Sequence, residues 1–180
     1  KPVPMPRDFV VPKPVRDIKQ KRTEKIRRVL AARGMVETMT YSFMDGDIAK
    51  HFGEIPASLR LVNPISTDLG VMRPSILPNL ISAIGKNQAR GIRDMAIFEI
   101  GPQYVDDLPS GQKLVAAGAR TGLSQPRTWT NKSETVDIFH AKADLIAALS
   151  SANIPAEKLQ QKIDTPIWYH PGKSACLWLG

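Results

Sequence analysis

Cysteine is nearly missing from this chain: Cys176 is the only one in 180 residues. A single thiol cannot close an internal disulfide, and no CxxC pair is present to seed a zinc or redox site. His51, His140 and His170 are the only histidines. They lie far apart with no HxxxH spacing, so no local motif builds a metal centre. No apolar run reaches the roughly 18 residues that a bilayer span needs. The opening Lys-Pro-Val-Pro-Met-Pro also lacks the apolar stretch of a signal peptide. These absences lead to the expectation of a soluble, cytoplasmic chain with no membrane contact and no resident metal.

Catalytic signatures are missing as well. Cys176 sits in an alternating apolar segment (Ala175, Cys176, Leu177, Trp178), which suits a core or interface position better than a reactive thiol. The glycines of Gly118-Ala-Arg-Thr-Gly122 lack both the lysine of a phosphate-cradling loop and the spacing of a dinucleotide fingerprint. His170 enters a Pro-Gly-Lys turn and reads as structural. No serine or cysteine declares itself an activated nucleophile.

What the chain does have is positive charge in one place. Residues 1–34 hold eleven Lys/Arg against three acids, which accounts for the entire net charge of +8 and leaves a neutral body. A basic head suits phosphates or an acidic partner; a solvated helix face is the plain alternative. Arg22, Lys25, Arg27 and Arg28 are the candidate contacts to such phosphates or to an acidic partner. The basic helix has no aromatic residue, which counts against base stacking.

Five prolines in the first 14 residues predict an extended connector over 1–16, a linker from an upstream domain. Residues 17–180 read as one core domain cut short at its C-terminus. Asp17 caps a predicted helix to about Arg33, stopped by Gly34, with Ile18, Ile26, Val29 and Leu30 on its apolar stripe. Period-two alternation over Met35–Met44 predicts a strand with Met35, Met39, Tyr41 and Phe43 on one face. A short helix near Ile48–Phe52 and strands at Ser58–Val62 and Leu69–Met72 follow. Ser75 caps a helix bearing Leu77, Leu80, Ile81 and Ile84. Met95–Val105 is a strand broken or bulged at Gly101, with Lys113–Ala119 as its antiparallel neighbour. A strand at Val136–Phe139, a helix from about Lys142 to Ser151, and closing strands at Lys158–Ile163 and Ser174–Leu179 complete the order. The architecture expected is α+β, an antiparallel sheet flanked by helices.

Six pieces occur in sequence: Arg33-Gly-Met-Val-Glu37 leading to Thr40-Tyr-Ser-Phe43, Asn63-Pro-Ile-Ser66, Met72-Arg-Pro-Ser-Ile-Leu-Pro78, Asn87, Phe98-Glu-Ile-Gly101, and His170-Pro-Gly-Lys-Ser-Ala175. In that order they resemble the β subunit of bacterial phenylalanyl-tRNA synthetase, in its class II aminoacyl-tRNA synthetase-like core. The match covers nearly everything from residue 20. His140 and Ala143 depart from it, standing where the family more usually has aspartate and glycine.

The resemblance implies a catalytic-like but inactive domain. It places Arg73 where the first class II arginine motif would fall, with Ser75 in place of the acid of that motif and Glu99 retained, a degenerate ATP site. Arg73 has a second reading as a structural ion-pair partner of Glu99. ATP and Mg are expected in the whole enzyme and no cofactor in this segment. The implied partners are the α subunit, in an α2β2 heterotetramer, and tRNA(Phe). The basic helix takes the place of the class II dimerisation helix, which makes Ile18, Ile26, Val29 and Leu30 subunit-interface candidates. A stand-alone RNA-binding module and an active class II core whose last motif follows residue 180 are the competing readings.

Overall fold

The computed structural model describes residues 2, 4, 15–126, 128–130 and 132–179. The proline-rich linker expected over 1–16 falls almost wholly outside the described residues. Helix α1 spans Ile18–Ala32, and Asp17 starts it with a capping box, its carboxylate accepting from the Gln20 backbone while the Gln20 side chain accepts from the Asp17 N–H. Gly34, at φ +78°, ends it in the left-handed region that favours glycine.

The main sheet has three strands in the order β1 (Val36–Glu37), β4 (Met95–Tyr104), β5 (Gln112–Thr121). β4 and β5 pair antiparallel from Met95↔Thr121 to Tyr104↔Gln112 without interruption. The bulge expected at Gly101 is therefore absent; Gly101 pairs in register with Val115. β1 joins the far side of β4 in parallel, so the sheet is mixed. Two small antiparallel pairs stand apart from it: β2 (Phe43–Met44) with β3 (Val71–Met72), and β6 (Leu159–Lys162) with β7 (Cys176–Leu179).

Helix α3 (Leu77–Gln88) covers one face of the sheet, where Ile76, Leu80 and Ile97 form a buried cluster with Val115 and Ala117 against it. Leu30, Met35, Phe98 and Ala148 form a second cluster on the opposite face, which brings together α1, β4 and α4 (Ile138–Ser151). A third surrounds Met44, Ala49 and Val71 near the short helix α2 (Gly46–Lys50). Burying apolar side chains on both faces of one sheet is the layered solution for an α+β domain.

Four local expectations are corrected. The strand expected over Met35–Met44 is broken after Glu37, where the Thr38 and Thr40 hydroxyls donate to the Phe98 carbonyl and the Glu99 carboxylate of β4. Its supposed common face is split: Met35 is 5% exposed, Met39 94% and Tyr41 72%. Residues Ala57–Leu59 form a 3-10 turn instead of a strand, and Arg60 makes only an isolated bridge to Val71. Thr67–Leu69 is likewise a 3-10 turn, leaving two residues of the strand expected there. Val136–Phe139 is not a strand: Asp137 opens α4 at Ile138 through a capping box closed by the His140 side chain. That bond gives His140 a local role at the start of α4.

Candidate functional site

Arg73 follows β3 directly, and its backbone is clamped on both sides. Its N–H donates to Ser42 O at 2.9 Å, and its carbonyl accepts from Tyr104 N at 3.1 Å. The side chain is thereby turned inward, where it is 1% exposed. Nη1 lies 2.8 Å from Oε1 of Glu99, whose side chain is 5% exposed. The same nitrogen donates to Thr40 Oγ1 at 2.9 Å, and Nε donates to Pro102 O at 2.8 Å. Thr40 completes the network by donating its hydroxyl to Glu99 Oε2 at 2.7 Å and its backbone N–H to the same oxygen at 3.2 Å.

Each charge thus meets its opposite and a set of hydrogen bonds, the condition under which a buried ion pair is tolerated. Gly101 makes room for it. A Cβ there would sit 2.6 Å from Arg73 Nη2 and 3.0 Å from Glu99 Oε1. Of the two readings of Arg73, the ion pair with Glu99 is the one the structure displays. The guanidinium is buried and committed to Glu99, Thr40 and the Pro102 carbonyl. Ser75 stands apart from the pair, its hydroxyl accepting from Leu77 N at 3.2 Å at the start of α3. It shapes a helix end.

Two members of this network, Thr40 and Gly101, escaped the sequence reading. The signal for Thr40 was its alternation with Met39 and Tyr41, which puts it on the opposite face; the signal for Gly101 was a glycine inside an otherwise regular strand.

The apolar stripe of α1 is mostly spent inside the chain. Leu30 is buried at 6% exposure, and Ile26 and Val29 pack against its cluster. Ile26 and Val29 are half-buried, as an amphipathic helix on a sheet turns its stripe toward its own core. Ile18, 69% exposed, is the interface candidate left uncovered. The cations also divide. Arg27 Nε lies 2.7 Å from Glu37 Oε1 and ties α1 to β1, and Arg33 is paired with Asp144. Lys19, Lys21, Arg22, Lys25 and Arg28 are exposed and carry no ion pair among the described residues.

Asp144 holds a second charged network together. It accepts from Arg120 Nε at 2.5 Å and from Arg33 Nε at 2.6 Å, joining β5, the end of α1 and α4. Burial pushes its carboxyl up, but hydrogen bonds from Arg120 and Arg33 outweigh that and hold it below the usual aspartate range. Near the C-terminus His170 Nδ1 accepts from Gly172 N at 3.0 Å, a turn contact. Cys176 is half-buried on β7 and lines a cavity of about 560 Å³ between β5, α4 and residues 165–177. Among the described residues no group of three or more His, Cys, Asp or Glu could hold a metal ion, and no helix is long and apolar enough to cross a membrane.

Comparison with known proteins gives a consistent set of likenesses. The family model described as the phenylalanyl tRNA synthetase beta chain CLM domain matches residues 4–180. The phenylalanine–tRNA ligase beta subunit of Paramagnetospirillum magneticum is 48% identical over 177 residues, covering 98% of this chain and 22% of that protein. That of Rhodospirillum rubrum is 47% identical and again 22% covered. The chain therefore spans about a fifth of the length of these relatives. Among solved structures, pyrrolysyl-tRNA synthetase from Desulfitobacterium hafniense aligns with a TM-score of 0.55 at 15% identity, over 78% of this chain and 46% of that one. At that identity the likeness speaks to fold alone.

Proposed function

Since the chain belongs to the phenylalanyl tRNA synthetase beta chain CLM domain family, we propose that it is a non-catalytic, partner-binding core within the β subunit of a phenylalanine–tRNA ligase. The observation that carries this reading is the mutual burial of Arg73 and Glu99 at 2.8 Å. Adenylate formation depends on charges pre-set toward a nucleotide; here the arginine and glutamate that the class II resemblance singles out are set toward each other. The loop from β4 to β5 adds Asp106 and Asp107 and no cation, which disfavours phosphate. On this reading ATP and Mg belong to the whole enzyme and this segment holds no cofactor.

Activation of phenylalanine then falls to the α subunit, with which this domain associates in an α2β2 assembly in the cytoplasm. Ile18 and the unpaired cations Arg22, Lys25 and Arg28 on α1 are its contacts to that subunit or to tRNA, with Arg27 held back by Glu37. The test is co-purification of the full β subunit with a tagged α subunit. A stoichiometric complex is expected; α and β eluting separately at micromolar concentration would contradict the reading.

A further inference from the structure

The cavity between β5, α4 and residues 165–177 encloses about 560 Å³, a volume in the range of small-molecule sites. Its apolar surface comes largely from α4. That helix rests on the sheet through Ala148, packed on Phe98, and through Asp144, bonded to Arg120. Ile138 and Leu145 line the cavity instead and are left 41% and 45% exposed. Across from them, residues 116–119 of β5 are all alanine or glycine, so the strand keeps the space open.

The charge around this space is mostly of one sign. Arg120, Lys142 and Lys173 line it against a single carboxylate, Asp144. That carboxylate is already committed: Oδ1 accepts from Arg33 Nε at 2.6 Å and Arg120 Nη2 at 3.1 Å, and Oδ2 from Arg120 Nε at 2.5 Å. Two guanidiniums on one acid leave a surplus of positive charge at this end. Lys142 Nζ donates to Gln161 Oε1 at 3.0 Å, a neutral acceptor that leaves its charge uncompensated. Lys173 forms no ion pair among the described residues. Burial pushes the Tyr169 phenol up, so it stays a neutral hydroxyl on the same wall. A cleft with apolar walls and charge of one sign concentrates the field on whatever enters it.

One chemical class meets both features. Inorganic phosphate would satisfy the lysines and leave Ile138 and Leu145 uncovered. A neutral apolar molecule would cover those two and leave the lysines without a counter-charge. An amino acid would carry an ammonium into a cavity whose one carboxylate is taken, and an unpaired buried charge is costly. We infer that this cavity is a binding site for a small organic monoanion, a carboxylate on an apolar body with no amine, in which Lys142 and Lys173 recognise the anion and Ile138 and Leu145 cover the body. The site goes beyond the partner-binding reading and does not rest on it.

The experiment is isothermal titration of the full β subunit with naphthylpropionate, its neutral amide and the corresponding amino acid, naphthylalanine. The carboxylate is expected to saturate a single site, with the amide and the amino acid weaker by about tenfold or more, the factor that one charge-assisted hydrogen bond supplies. Lys142→Ala/Lys173→Ala removes two exposed side chains; it should weaken the carboxylate by a similar factor while the amide affinity and the melting temperature stay as in wild type. Leu145→Asp should weaken carboxylate and amide together. Equal affinity for carboxylate and amide overturns the inference, as does a double lysine variant that holds the carboxylate as tightly as wild type. A carboxylate that never saturates the full subunit overturns it too, and shows the cavity closed by other parts of that chain.

Discussion

Arg73 sits where a guanidinium is hardest to keep: it is 1% exposed and depends on one carboxylate, one hydroxyl and one carbonyl for its neutralisation. Removing one partner of such a pair strands the other. Arg73→Met should therefore destabilise the protein by about 3–5 kcal/mol through the unpaired Glu99. The double variant Arg73→Met/Glu99→Met, which strands nothing, should recover much of that loss. Urea midpoints of the single and double variants check this, and equal midpoints would refute the coupling. Asp144 gives a second prediction at the same scale. Its carboxyl is held below the ordinary range, so the stability it contributes is present above the unfolded-state value of about 3.9 and is lost as pH falls through its lower folded value. Asp144→Asn should flatten the fall in unfolding free energy from pH 5 downward, read from urea titrations at several pH values. A slope as steep as that of wild type would assign the acid sensitivity to other groups. The Arg73–Glu99 partnership was legible in the sequence as one of two options. The Asp144 network was not, because Arg33, Arg120 and Asp144 are joined across 111 and 24 positions by folding alone.

Among the elements, helices were the most readable, because their punctuation is local. Asp17 and Gly34 mark the ends of α1, and both act as their residue types require. Short strands were misread wherever tertiary hydrogen bonds overrode an alternating pattern: Met35–Met44 alternates, but Thr38 and Thr40 bond β4 and break the run. The start of α4 was missed because Val136–Phe139 was read as a strand and His140 as a family departure rather than as part of the cap that Asp137 opens. The stripe of α1 was legible, and within this chain it packs largely on the core. Sequence periodicity says that Ile26, Val29 and Leu30 share a face; it does not say whether that face meets this chain or another. The charged face of α1 carries its own prediction. Lys25→Glu/Arg28→Glu reverses two cations without an ion pair among the described residues, and should weaken association of the β subunit with the proposed α partner about tenfold at 50 mM salt and far less at 500 mM, where screening shortens the reach of charge. Titration of the two subunits at both salt concentrations measures it. Affinity unchanged at low salt would make this face merely solvated.

On the scale of the whole molecule, charge and packing are laid out separately. The net charge of +8 is carried by residues 1–34, while three apolar clusters on and beside the sheet hold the neutral body. The α+β class and the β4–β5 pairing were readable from alternation and turn signals, and the six ordered motifs carried the family. Composition alone would have stopped at a basic α+β domain. The parallel placement of β1 and the inward turn of Arg73 needed the fold, since both join segments far apart in sequence. The central claim is that this domain contributes binding and no chemistry, and the most direct measurement is phenylalanine-dependent pyrophosphate exchange by this segment, by the α subunit and by the two together. No exchange above background is expected from the segment alone at any ATP concentration; phenylalanine-dependent exchange by it would contradict the account.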